Sequence, residues 1–172
     1  DMNIYLIEGS PRLLGVMSTE ASENAEKFLK EMGVNIILNK RVTDYQDGKV
    51  ILDDNSTITT KTLVWVSGVT ATHFDHIDKE ALNRGGRITV NEFNQMPGMT
   101  NVFAIGDVCF QTEEEYPNGH PQVAQVAIQQ GNLLADNLKR LESGKTLKAF
   151  HYINLGTLAT VGRNKAVADL KK

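Results

Sequence analysis

The sequence predicts an α/β fold in which parts of a parallel sheet, joined through a helix, carry a small antiparallel β-meander. Three observations predict it. Residues 3–7 and 34–38 are short, β-rich apolar runs with a helical pattern between them. Residues 41–60 hold three strand-like runs separated by Gln46-Asp47-Gly48 and Asp54-Asn55-Ser56. Val102 to Asp107 is an apolar run that ends on a glycine and an acid, and a long helical pattern follows a polar loop.

Each element has a local cause. Met2 to Ile7 enters a strand at once and ends on Glu8-Gly9-Ser10-Pro11; its apolar character suits a central strand of a parallel sheet. Ser18 or Thr19 can cap a helix whose apolar positions Ala21, Ala25, Phe28, Leu29 and Met32 follow a period of about 3.6. Gly33 ends that helix, and Val34 to Leu38 is the next strand. Strand, helix and strand in that order make half of a nucleotide-binding unit. Asp47-Gly48 then predicts a tight hairpin between residues 41–45 and 49–52. A third strand at 57–60 completes the meander. Thr62 to Val66 reads as a return to the parallel sheet, ending at Ser67-Gly68-Val69. Arg87 to Val90 and Val102 to Ile105 read as strands. The helix after Pro121 runs to about Leu141, with Val123, Ala127, Leu134, Leu138 and Leu141 near one stripe. Residues 149–152 and 157–161 read as extended segments around Gly156.

Bulk properties narrow the function. The chain has 172 residues, 41% hydrophobic and 23% charged, as in soluble globular proteins. A net charge of -3 gives no reason to invoke nucleic acid. No run reaches the roughly 18 apolar residues of a membrane span. Cys109 is the only cysteine, so this chain forms no internal disulfide or dithiol pair, and a reducing compartment is the plain reading. The chain opens on Asp1 directly before a strand and is still patterned at residues 166–170, which reads as boundaries imposed on a longer protein. A seam near residues 68–86 divides the expected domains, residues 1–80 and 81–172. No Gly-x-Gly-x-x-Gly occurs, so each half lacks a phosphate-cradling first turn, and the expected fold is an incomplete pair of Rossmann-like dinucleotide-binding domains.

Several residues carry candidate chemistry. Glu8 ends a strand where an acid can accept both ribose hydroxyls of an adenosine and repel a 2′-phosphate; a solvated strand-end acid is the plainer alternative. Arg12 lies close enough in sequence to accommodate such a phosphate instead. Gly68 lets backbone approach a dinucleotide, or is an ordinary turn glycine. Gly106 and Asp107 make the same case for a flavin dinucleotide, Asp107 through sugar hydroxyls or near the pyrophosphate, or as a loop brace. The helix start near Ala124 offers backbone N–H groups to a phosphate or a ring carbonyl. Gln125, Gln129, Asn132 and Asp136 share one polar side of that helix, commonly a solvated face, while Ala124 and Gly131 permit close approach. His73, His76, His120 and His151 have no metal-ligand spacing and read as surface or locally hydrogen-bonded residues. Cys109 reads as a small buried residue.

With these residues in view, the chain resembles type II NADH:quinone oxidoreductase, the single-polypeptide FAD-dependent NADH dehydrogenase. The resemblance lies in Ile4 to Leu14, Val64-Trp65-Val66-Ser67-Gly68-Val69, Val102 to Asp107, Pro121 to Gly131, and residues 152–162 around Gly156. It implies that Glu8 meets the NADH ribose and that Asp107 holds FAD. It implies that backbone N–H groups of Gln122, Val123, Ala124 and Gln125 meet the flavin edge. Gln125 and Gln129 are implied to position a quinone. The implied activity is hydride transfer from NADH to FAD, then electron transfer to the quinone. The whole enzyme is then a peripheral protein on the cytoplasmic face of an inner membrane, with room for a homodimer. The 172-residue piece is expected to hold FAD weakly and to be inactive alone. A ferredoxin or rubredoxin reductase, and a noncatalytic nucleotide-binding or interaction module, remain open alternatives.

Overall fold

The computed structural model describes residues 2–72, 74–83 and 85–170. The chain divides into two compact units, Asp1–Val66 with Leu155–Lys172, and Ser67–Asn154. His73, one of the four histidines considered above, lies outside the described residues.

In the first unit, β1 (Ile4–Glu8) pairs in parallel with β2 (Val34–Leu38), Ile4 opposite Val34 and Glu8 opposite Leu38. Helix α1 (Thr19–Glu31) makes the crossover. Its cap is Ser18, whose Oγ accepts the Ala21 N–H at 3.1 Å and so satisfies one of the free donors of the first turn. Asp169 accepts from both the Ser18 N–H and the Ser18 Oγ–H, each at 2.6 Å. Those hydrogen bonds hold the Asp169 carboxyl below its ordinary range. The face of α1 that carries Ala21 and Ala25 is buried against Met17, Val161 and Val167. Val161 and Val167 come from the antiparallel hairpin β8 (Thr157–Val161) and β9 (Lys165–Asp169). Small side chains on the helix allow that hairpin to seat closely.

The meander is β3 (Val42–Gln46), β4 (Lys49–Leu52) and β5 (Thr57–Thr59), all antiparallel. Its first turn is the expected two-residue loop, with Asp47 at φ 50° and Gly48 at φ 73°, the primed geometry that matches strand twist. Val50 and Leu52 are its buried residues.

The second unit has the short parallel pair β6 (Ile88–Thr89) and β7 (Cys109–Phe110), and helix α2 (Ala124–Glu142). Ile88, Val90, Met96, Ala104 and Cys109 form one core, and Val126, Phe150 and Tyr152 another.

The α/β class, the parallel pair, the meander and both helices agree with the sequence. Four expectations are corrected. β1 is not buried: Ile4 and Tyr5 are exposed, and β2 is its one partner among the described residues. Residues 62–66 are not a strand, and Trp65 is 62% exposed. A strand is defined by the ladder it makes, and no described strand hydrogen-bonds to this run. Residues 102–105 are extended but make only the isolated bridge from Phe103 to Gln95; the parallel ladder falls further on, at β7. On α2, Val123, Leu138 and Leu141 are exposed, and the buried face is Val126, Gln130 and Asn137. No helix of the described residues is long and apolar enough to cross a membrane.

Candidate functional site

The site in the second unit is built where the chain turns from residues 102–105 into the segment leading to α2. Ala104 is buried and its N–H donates to the Asn94 carbonyl at 3.0 Å, which fixes the approach. Gly106 to Val108 make one 3-10 turn. Gly106 has φ 67°, and a Cβ there would lie 3.3 Å from the Cβ of Ala127, so the glycine brings the turn hard against α2. Two hydrogen bonds complete the join. The Gly106 N–H donates to Gln130 Oε1 at 2.7 Å, and Gln122 Nε2 donates to the Asp107 carbonyl at 3.1 Å. The Asp107 side chain is left exposed.

The start of α2 has no side-chain cap. Val123 N–H donates to the Pro121 carbonyl at 3.0 Å, and no described group accepts from the Ala124 N–H. A helix start of this kind favours an electronegative group.

The amides of α2 divide into two sets. Gln125 Oε1 accepts from the Tyr152 hydroxyl at 3.4 Å. Gln129 exchanges two hydrogen bonds with the backbone of Ile153, at 2.8 and 3.0 Å. Asn137 makes the same exchange with Lys148, both at 2.9 Å. The segment returning after α2 is thus held along the helix by two side-chain amides. Asn132 and Asp136 are solvated.

Behind the turn lies a buried polar network that the sequence reading missed. Gln111 Oε1 accepts from Asn94 Nδ2 and from Gln130 Nε2, both at 3.1 Å. Cys109 Sγ lies 3.7 Å from Asn94 Nδ2 and 3.6 Å from Gln130 Nε2. Burial raises the thiol's pKa, which keeps it protonated and inert. Arg87 Nε donates to the Cys109 carbonyl at 2.7 Å and Nη2 to the His120 carbonyl at 3.1 Å, tying β7 to the loop after it.

His120 corrects another expectation, for it is neither a surface residue nor locally hydrogen-bonded. Its side chain is 1% exposed, and both ring nitrogens lack a hydrogen-bond partner among the described residues. It sits among Tyr116, Phe150 and Tyr152, with Glu113 Oε1 at 3.7 Å from Nδ1. Burial lowers its pKa, against a smaller opposing pull from Glu113, with Arg87 adding to the lowering. The folded form therefore favours neutral imidazole. Its contribution to stability is complete above the unfolded histidine value of about 6.5 and is lost as pH falls through the lower folded value. Urea midpoints are expected to drop between pH 7.5 and pH 5, and His120→Phe is expected to flatten that drop. An unchanged slope in the variant would assign the acid sensitivity elsewhere. The signal for this burial was faint: one histidine in Gly119-His120-Pro121, close after Tyr116.

The first unit places the remaining candidates. Glu8 Oε1 accepts the Ser10 N–H at 2.7 Å, and hydrogen bonds from Ser10 lower its pKa, so the strand-end acid stays ionised. Arg12 is spent on backbone: Nη1 on the Met17 and Ser18 carbonyls, Nη2 on the Gly15 carbonyl. In the second unit Gly68 is exposed at φ 92°, with open space where a Cβ would stand.

A family model for pyridine nucleotide-disulphide oxidoreductases matches residues 1–131. The chain belongs to that family. Type II NADH:quinone oxidoreductase of Staphylococcus epidermidis is 30% identical over 171 residues, covering 96% of this chain and 42% of the relative. An Arabidopsis thaliana relative, internal alternative NAD(P)H-ubiquinone oxidoreductase A1, mitochondrial, is 32% identical and covers all of this chain and 36% of its own. The chain thus spans less than half the length of these family members. Among solved structures, NDH2 of Plasmodium falciparum in complex with NADH superposes with a TM-score of 0.84 at 16% identity, over 98% of this chain and 50% of that one. A ferredoxin reductase from Rhodopseudomonas palustris superposes with a TM-score of 0.70 at 17% identity, over 91% of this chain and 38% of that one. These two structures share the family fold.

Proposed function

We propose that this sequence supplies part of the NADH site and part of the FAD site of an enzyme that oxidises NADH and reduces a membrane quinone. The observation that carries the reading is the Gly106-Asp107 turn fastened to the uncapped start of α2. An exposed carboxylate beside a helix start suits a flavin dinucleotide, which presents hydroxyls, phosphates and a ring carbonyl. The small, exposed Ala124 leaves room for a flat ring. When bound, FAD supplies the hydride acceptor.

The chain's own groups then bind and orient. Asp107 accepts from sugar hydroxyls. Of the backbone at Gln122, Val123, Ala124 and Gln125, the Gln122 and Ala124 N–H groups have no acceptor among the described residues, and they serve the ring edge. Glu8, in the first unit, accepts from the adenosine ribose of NADH; Gly68, in the second, offers its backbone to a dinucleotide. Gln125 positions the quinone head group with the Tyr152 hydroxyl. Gln129 acts through the Ile153 backbone that it clasps. The relatives named for quinone and ubiquinone reduction support the acceptor, and a lipid-dissolved acceptor is in keeping with a whole enzyme that lies peripherally on a membrane, in this reading the cytoplasmic face of an inner membrane. This stretch alone, with neither glycine-rich turn, holds FAD weakly.

Anaerobic stopped-flow absorbance of the polypeptide at the relatives' full length tests the reading. NADH is expected to bleach a bound flavin, and a soluble quinone to restore its colour rapidly. Bleaching without rapid recovery would replace the quinone by a protein acceptor such as a ferredoxin. Absence of flavin and of any NADH response would leave a noncatalytic module.

A further inference from the structure

The carboxyl ends of β1 and β2 gather four charged side chains: Glu8, Arg12, Lys40 and Arg41. Backbone bonds hold this edge together, with Lys40 N–H on the Glu8 carbonyl at 3.2 Å and Asn39 N–H on the Ser10 carbonyl at 3.1 Å. Ligands of open parallel sheets bind outside the carboxyl ends of the strands. Three of the four charges are committed. Glu8 is tied to the Ser10 N–H and stays anionic. Arg12 is used up on three loop carbonyls, so the cation that the sequence offered for a phosphate is engaged elsewhere. Lys40 pairs with Asp54 at 2.5 Å, and the Asp54 carboxyl is held far below its ordinary range by that contact and by Ser56.

Arg41 is the fourth. Its side chain lies across Gly9, the residue directly after Glu8. A Cβ on Gly9 would stand 3.2 Å from Arg41 Cγ and 3.4 Å from Nε, so the missing side chain is what lets the guanidinium rest over the strand end. Arg41 is exposed, and no described carboxylate pairs with it. Its backbone is fixed separately, the Arg41 carbonyl accepting the Asp53 N–H at 2.9 Å.

We propose that Arg41 receives the adenosine 2′-phosphate of a dinucleotide, so that this edge accepts NADPH as well as NADH. The proposal rests on the reading of Glu8 as the ribose acid. Glu8 alone repels a 2′-phosphate. Arg41, which lies over the next residue Gly9 and has no carboxylate partner among the described residues, offsets that repulsion with a planar charge that bonds two phosphate oxygens at once. The unmodified ribose keeps Glu8 as its acceptor, so both nucleotides fit.

Isothermal titration of the full-length polypeptide with 2′,5′-ADP and with 5′-AMP tests this without any turnover. Arg41→Gln is expected to weaken 2′,5′-ADP about tenfold and to leave 5′-AMP within about twofold, Arg41→Lys falling between. The 2′,5′-ADP affinity should also fall with added salt, since the pair is exposed. Equal weakening of both probes, or no change in either, would overturn the assignment of Arg41 while sparing Glu8. If the unaltered protein, folded by circular dichroism, binds neither probe, the adenosine reading of this edge fails and Arg41 fails with it. Flavin reduction by NADH is scored separately, so the quinone reading stands or falls on its own.

Discussion

Replacing Gln130 with leucine is expected to destabilise the second unit by about 3 kcal/mol. The side chain is 1% exposed and does two things at once. Its Oε1 takes the Gly106 N–H, and its Nε2 donates to Gln111 Oε1. Leucine has nearly the right volume, so little of the cost comes from a cavity. It comes from a turn N–H stranded against an apolar wall and from an amide oxygen reduced to its single donor from Asn94. Urea titration of the single variants Gln130→Leu and Gln111→Leu, and of the double variant, checks the cause. The double variant should cost clearly less than the two singles together, because removing both partners leaves fewer orphaned groups. Strict additivity would show that the amides do not act as a network. Flavin content should fall with Gln130→Leu, since Gly106 carries Asp107.

Replacing Gly156 with alanine is expected to cost the first unit about 3 kcal/mol or more. Gly156 has φ 108°, which L side chains avoid. A Cβ would also meet backbone, 2.6 Å from the Asp169 carbonyl and 3.1 Å from Leu170 Cα. Side chains can swing aside, whereas this contact requires the end of β9 to move. Asp169 is the residue that grips Ser18 at the start of α1. Its displacement should therefore uncap a helix distant in sequence. Amide hydrogen exchange is the suitable probe: protection should fall at β8, β9 and the first turn of α1 and persist in α2. Loss confined to the hairpin would mean that the Asp169 clasp is dispensable.

What was legible in the sequence was what local chemistry decides. Asp47-Gly48 specified its turn because few residue pairs adopt two successive positive φ values. Ser18 or Thr19 marked the start of α1, and Ser18 is the cap because its hydroxyl oxygen reaches a first-turn N–H. Glu8 at a strand end and Gly106-Asp107 in a turn stand where the sequence put them, because strand ends and turns have short-range signatures. Trp65 and its neighbours were misread because β-rich composition describes a preference, while a ladder needs a second strand in register. The amides of α2 show the same limit. Gln129 and Gln130 are adjacent and chemically identical, yet one clasps the backbone of Ile153 and the other is buried beneath Gly106. Periodicity sorts apolar from polar, and the buried side of this helix carries Gln130 and Asn137. His120 escaped for a related reason, since its aromatic enclosure is drawn from Tyr116, Phe150 and Tyr152.

The first unit is discontinuous along the chain, residues 67–154 intervening between its two segments. On the ribosome this sets an order of events. The parallel pair, α1 and the meander emerge early, but the cluster on the apolar face of α1 is incomplete until Val161 and Val167 are made. Throughout that interval Met17, Ala21 and Ala25 lack that part of their packing. The second unit, by contrast, has all its residues once Asn154 has emerged. Closing the Ser18–Asp169 contact spans 151 positions. An unstructured connection of that length would cost appreciable closure entropy, and a second unit folded beforehand removes most of the wandering. Translation arrested just short of β8 should thus yield a nascent chain with a protease-resistant second unit and an α1 that is still cleaved.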